Sequence, residues 1–161
     1  MTTSTTGNPL SLTKQGDRGL HIERIFNFPR ERVWKAMNDP ALIAQWWGRG
    51  NKLTIEKYEP VRGGHWRFVE HSDQGEFGFE GRFREVTEPS RVVQTFEWDG
   101  MPGHVMLQTL ELHDLGDGRT RITTDVLYLT AEDRDGMVAS GMEGGLTESY
   151  LALERLLAST T

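Results

Sequence analysis

Apolar and polar residues alternate over residues 20–28 (LHIERIFNF), with Leu20, Ile22, Phe26 and Phe28 on one side. A period of two predicts a strand with one apolar face. The period then changes. In residues 30–40 (RERVWKAMNDP), Val33, Trp34 and Met37 share a face at helical spacing. Pro29 suits the first helical position, and Glu31 suits the positive end of the helix dipole. Asp39-Pro40 stops that helix and starts a second short one, ALIAQWW, closed by Gly48.

Beyond Gly48 the period returns to that of strands: LTIEKYEPV, HWRFVEH, EFGFEGRFREV, RVVQTFEW, HVMLQTLEL and TRITTDVLYL. Turn-forming residues divide them, among them Arg62-Gly63-Gly64, Glu88-Pro89-Ser90 and Gly116-Asp117-Gly118. Connections this short predict antiparallel hairpins, because parallel strands need long crossovers. With the first segment, about seven strands are expected.

The last segment reads as one long helix. Thr130 can cap it, with Asp133 three residues on, and Met142, Leu146, Tyr150, Leu153 and Leu157 form a stripe. Gly136, Gly141, Gly144 and Gly145 lie in its first half, where each costs about 1 kcal/mol relative to alanine. Either the first turns are broken, or a bulky neighbour presses on them. The expected fold is therefore α+β: a curved antiparallel sheet with one concave apolar face, gripped by the C-terminal helix. A cavity between the two is a common outcome of that shape.

The 161 residues amount to one domain. Residues 1–19, rich in Thr, Ser and Gly, read as a flexible lead-in, and residues 20–161 as the folded unit. The lead-in lacks the basic and apolar regions of a signal peptide, and no run reaches transmembrane length, so a cytoplasmic protein without membrane association is expected. A net charge of −6 with no Lys/Arg cluster disfavours nucleic acid. The absence of cysteine excludes disulfides, thiolate zinc sites and cysteine nucleophiles.

The residues in this order resemble the helix-grip superfamily called START-like, birch-pollen-allergen-like or SRPBCC. Within it they are similar to the AHSA-type branch, named for the activator of the ninety-kilodalton heat-shock-protein ATPase. The resemblance rests on Arg24 and Phe26, PRERVWKAMNDPALIAQWW (29–47), RGGHWRF (62–68) and Gly81. RVVQTFEW (91–98), GDGRTRIT (116–123) and GMEGGLTESYLALERLL (141–157) complete it. It implies an internal cavity. Trp46, Trp47, Trp66, Phe68, Phe79, Phe83, Trp98, Tyr128, Met142, Leu146 and Tyr150 are the expected lining, with Tyr128, Tyr150 or Arg49 orienting the ligand. Phe77 and Phe96 are less securely placed, since alternation does not say which sheet face is concave.

Other chemistry is weaker. None of the five histidines (21, 65, 71, 104 and 113) has metal-ligand spacing, so no metal or cofactor is expected. Glu70, Glu85, Glu97, Glu111 and Asp125 lie in strands; a cavity-facing one could act as a general base, but pairing with Arg67, Arg82 or Arg84 on the solvated face is the usual arrangement. No nucleophile elbow or phosphate loop is present. The expected function is non-catalytic binding of a hydrophobic aromatic or polycyclic molecule, such as a lipid, flavonoid or polyketide-like compound. The alternatives are a polyketide cyclase or aromatase using a cavity carboxylate, and a co-chaperone-like domain with a protein partner.

Overall fold

Two strands, Ser11–Gln15 (β1) and Gly19–Phe26 (β2), form the first hairpin of the computed structural model, which describes residues 8–159. Every second residue of β2 is buried, as its alternation requires. The helices Arg30–Asn38 (α1) and Pro40–Trp46 (α2) follow. Pro29 precedes the first helix as its cap residue, one place earlier than expected, and its carbonyl accepts from the Arg32 and Val33 amides. Asp39 ends α1 and caps α2, its carboxylate accepting from the Ala41 amide at 3.0 Å.

Six strands come next: Lys52–Tyr58 (β3), His65–Ser72 (β4), Gly75–Thr87 (β5), Arg91–Trp98 (β6), Met106–Asp114 (β7) and Thr120–Tyr128 (β8). All pairings are antiparallel, in the order β1-β2-β8-β7-β6-β5-β4-β3. The two helices carry the chain from β2 to the far edge, and the meander then returns until β8 pairs with β2. Register shifts at Ile55/Lys57 and Phe83/Glu85 bend β3 and β5, adding curvature.

The sheet thus has eight strands rather than about seven, and the extra one lies within the stretch expected to be a flexible lead-in. Residues 11–15 pair with β2 from Ser11↔Glu23 to Gln15↔Gly19 through a turn at Gly16, whose φ is +58°. An edge strand can be held by main-chain hydrogen bonds alone, so its polar, exposed side chains carry no apolar signal. Residues 1–7 of that lead-in lie outside the described residues.

The long C-terminal helix is two helices, Ala131–Ala139 (α3) and Met142–Ser159 (α4). Thr130 caps α3 as expected, accepting from the Asp133 amide at 3.0 Å. The break falls at Gly141, whose φ of +90° is open to glycine at little cost. Beyond it Tyr150, Leu153 and Leu157 of α4 enter the main core with Phe26, Val33, Trp34, Ile43 and Trp66. A second buried cluster gathers Leu20, Ile22, Met106, Val126 and Tyr128, against which Met142 and Leu146 pack.

Candidate functional site

The strand registers put the aromatic residues of β4, β5 and β6 on a single concave face. Phe68 stands opposite Phe79, and Phe79 opposite Trp98. Their rings form a continuous lattice: Trp66–Phe68 at 4.9 Å, Trp66–Phe96 at 5.7 Å and Phe79–Phe96 at 5.5 Å between centroids. Trp66 is held by its indole N–H, which donates to the Thr95 carbonyl at 3.2 Å. That approach passes over Gly81, where an added Cβ would stand 1.9 Å from the same carbonyl oxygen. Trp66 and Phe68 of β4, Phe79 of β5 and Phe96 of β6 therefore form one wall.

Burial divides this wall. Trp66, Phe68 and Phe83 are almost wholly enclosed, at 2%, 5% and 1% exposure, and serve as core. Trp47, Phe77, Phe79, Phe96, Trp98, Leu110, Met142 and Leu146 face the same interior yet remain half-buried. Inward-facing apolar residues that keep solvent contact mark a concavity that the helices leave incompletely covered.

Trp47 closes one side. It leaves α2 in an extended conformation and meets Phe68 at 5.2 Å and Phe79 at 5.3 Å, both edge-on. Three residues with positive φ follow: Gly48 at +96°, Arg49 at +58° and Gly50 at +88°. Arg49 is the one non-glycine among the described residues in this region of backbone space, a strained placement that its surroundings must enforce. Its amide donates to Ser149 Oγ at 3.3 Å, and its Nη2 meets Glu70 Oε2 at 3.0 Å. Asn51 Nδ2 donates to that same oxygen at 2.6 Å. Where the guanidinium crosses α4, a Cβ on Gly145 would lie 2.9 Å from Arg49 Cδ. Both expectations for the glycine-rich segment thus hold, at different residues: Gly141 breaks the helix, and Gly145 yields to a neighbour.

Polar groups are few. Tyr150 is buried and its phenol is pushed up to about 12 by that burial, with a hydrogen bond from Thr124 opposing. Burial likewise pushes the Tyr128 phenol up to about 12. Both stay protonated at neutral pH, acting as hydrogen-bonding groups rather than bases. Glu70, at 3% side-chain exposure, is a buried, inward-facing carboxylate. Glu85, Glu97, Glu111 and Asp125 are partly exposed; Glu85 and Glu111 pair with Arg91, and Asp125 with His21. Arg67 joins Asp99, Glu56 and Glu80 on the outer face, and its two bonds to Asp99 hold that carboxyl below its usual range. All five imidazoles bond to carboxylates or hydroxyls.

The residues expected to line a site separate into groups. Trp47, Trp66, Phe68, Phe79 and Phe83 meet in the lattice, while Tyr128, Met142 and Leu146 meet in the second cluster. Trp98 lies near the wall's end, 6.5 Å from Phe77. Trp46 sits between the helices, its indole donating to the Ala36 carbonyl at 2.9 Å, with Tyr150 beside it. Phe96, less securely placed by alternation, joins the lattice, and Tyr58 is an addition. Phe96 shares the parity of Trp98, so correct strand pairing would have placed it. The bulge in β3 moves Tyr58 against Phe83, a step alternation does not reveal. A separate hollow of about 510 Å³, open to solvent, lies on the outer face between the β1–β2 turn, Leu107 and Leu127, away from the aromatics.

With this geometry, the comparison with protein families is decisive: the profile described as Activator of Hsp90 ATPase homolog 1-like protein matches residues 27–158. The chain belongs to that family. The Activator of Hsp90 ATPase homolog 1-like family is part of the SRPBCC superfamily, whose fold typically binds hydrophobic ligands. A crystal structure of a Rhodobacter sphaeroides protein matches 95% of this chain and 100% of its own, at 30% identity and a TM-score of 0.86. A solution structure from Arthrobacter aurescens matches at 23% identity over 94% of this chain and 92% of its own, with a TM-score of 0.83. DynU16, from the dynemicin biosynthetic locus, shares the fold at 21% identity and a TM-score of 0.68 over 88% of this chain and 48% of its own. A comparison with curated protein sequences finds no match. Among the described residues no helix is long and apolar enough to cross a membrane.

Proposed function

We propose that this protein binds a hydrophobic, aromatic or polycyclic small molecule against its concave face and holds it without chemical change. The observation that carries this reading is the half-buried aromatic wall of Trp47, Phe79, Phe96 and Trp98 beside a fully enclosed core. Apolar burial would supply affinity at roughly 25 cal/mol per Å² before ordering costs. Lipids, flavonoids and polyketide-like aromatics are the classes that such a wall suits.

The test is an amide NMR titration with those three classes. Saturable shifts should centre on Trp47, Phe79, Phe96 and Trp98, and a Trp47→Ala/Phe79→Ala/Phe96→Ala variant should lose them while keeping a dispersed spectrum. Unchanged binding in that variant would place the ligand elsewhere.

One observation favours a cyclase-type enzyme as a second reading: Glu70 is the carboxylate among the strand candidates that is buried on the concave face. DynU16's place in a biosynthetic locus is compatible with it. Against it, Arg49 and Asn51 both occupy a Glu70 oxygen, which suits a latch better than a free base. Turnover of an aromatic polyketide analogue that disappears in Glu70→Gln would favour the enzyme.

A further inference from the structure

Polar side chains cross the concave face along a diagonal line. On β2 Arg24 lies between Ile22 and Phe26; on β8 Thr124 lies between Ile122 and Val126. Gln108 on β7 follows the same alternation and stands opposite Gln94 on β6. From β2 to β6 the line crosses three strand spacings, about 14 Å, and drifts by two residues along the strands at each of the first two steps. It runs between the two buried apolar clusters, one containing Phe26 and Trp66 and the other Ile22 and Met106.

Three of these groups have partners within the line or above it. Gln94 Nε2 donates to Gln108 Oε1 at 3.0 Å, and Thr124 bonds the Tyr150 hydroxyl. Arg24 is different. Its side chain is 2% exposed, its Cζ lies 4.3 Å from the Phe26 ring centroid, and its Nη2 donates to Glu154 Oε1 at 2.9 Å. Its Nη1 is buried with no hydrogen-bond partner among the described residues. A buried donor on a charged group is costly to leave unmade, so this nitrogen requires an acceptor.

Charge balance identifies the acceptor. Glu154 already neutralises the guanidinium. A ligand carboxylate would add an uncompensated negative charge to a site of low dielectric, whereas a carbonyl oxygen would accept the hydrogen bond and add none. We infer that the ligand is a flat aromatic molecule with a neutral carbonyl group, its oxygen on Arg24 Nη1 and its rings against the Trp47–Phe79–Phe96 wall. This rests on the binding reading above and names the ligand's polar end.

The experiment compares 9-fluorenone, fluorene and fluorene-9-carboxylate by tryptophan fluorescence, and follows the bound fluorenone carbonyl stretch by infrared. In the wild type, fluorenone should bind about tenfold tighter than fluorene, the effect of one charge-assisted hydrogen bond. The carboxylate should bind no tighter than fluorenone, and the carbonyl stretch should move to lower wavenumber. Arg24→Met should bring fluorenone down to fluorene's affinity, leave fluorene within about twofold, and abolish the infrared shift. Glu154→Gln leaves the guanidinium charge unbalanced, so the carboxylate should gain about tenfold. Equal binding of fluorenone and fluorene to the wild type, or an unshifted stretch, overturns the inference and leaves the binding reading standing. Absence of binding by all three overturns both. If Arg24→Met does not fold, the wild-type spectrum and the Glu154→Gln reversal still decide.

Discussion

Gly144 and Gly145 are neighbours in α4 with opposite surroundings. A Cβ at Gly144 meets open space, whereas at Gly145 it meets Arg49. Gly144→Ala should therefore stabilise the protein by up to about 1 kcal/mol through helix propensity and the reduced freedom of the unfolded chain. Gly145→Val should gain nothing, because it displaces Arg49 from α4; paired thermal melts check the contrast. A sharper case is Gly81, where any side chain strikes the Thr95 carbonyl and the Trp66 indole nitrogen. Gly81→Ala should destabilise by about 1–3 kcal/mol, the usual range for overpacking, read as a lower urea midpoint. Neither position announces itself in the sequence, because glycine there answers to a neighbour distant along the chain.

Between β2 and β8 one element pairing carries a titratable group. His21 Nδ1 lies 2.7 Å from Asp125, and its Nε2 lies 2.7 Å from Glu23. Hydrogen bonds to these carboxylates, Asp125 first, raise its pKa above 6.5 although burial opposes them. A raised folded-state value means the stabilising contribution is complete below pH 6.5 and is lost as pH rises through the folded value. Stability of the wild type relative to His21→Gln should accordingly fall on moving upward from pH 6, measured by urea unfolding at a series of pH values. The cap between α1 and α2 behaves more simply. Asp39→Ala removes the acceptor for the Ala41 amide and should cost about 1 kcal/mol.

In the whole molecule, the strap from Trp47 to Asn51 joins three layers: α2, the Glu70 end of β4, and Ser149 on α4. Its backbone holds three successive positive φ values, so the hydrogen bonds to Glu70 and Ser149 must keep it in place. Glu70→Ala should speed amide hydrogen exchange at residues 48–51 while leaving the β2–β8 amides protected. Uniform protection throughout would show that Trp47 packing alone secures the strap. Because Trp47 lies edge-on to Phe68 and Phe79, loosening the strap should also speed ligand association in a stopped-flow measurement.

Periodicity was sufficient for β2, α1, α2, the meander from β3 to β8, and the core face of α4, because each element must turn one apolar face inward whatever its partners. Thr130 and Asp39-Pro40 were legible for a similar reason: caps and helix stops act within a few residues. The family resemblance, spread over most of the chain, carried the expectation of a cavity. Tertiary structure alone decided which sheet face is concave, and with it that Trp66, Phe79, Phe96 and Trp98 form one wall. It also decided that Ser11–Gln15 is an edge strand, since main-chain pairing leaves no trace in polar side chains. Arg24 shows the same limit at the site. In the alternation of β2 it reads as an interruption, and only α4, bringing Glu154 and Tyr150 over it, makes it a buried donor. Local pattern reports the faces that elements hide; which groups meet between those faces depends on registers and crossings that link residues more than 100 positions apart, as Arg24 and Glu154 are.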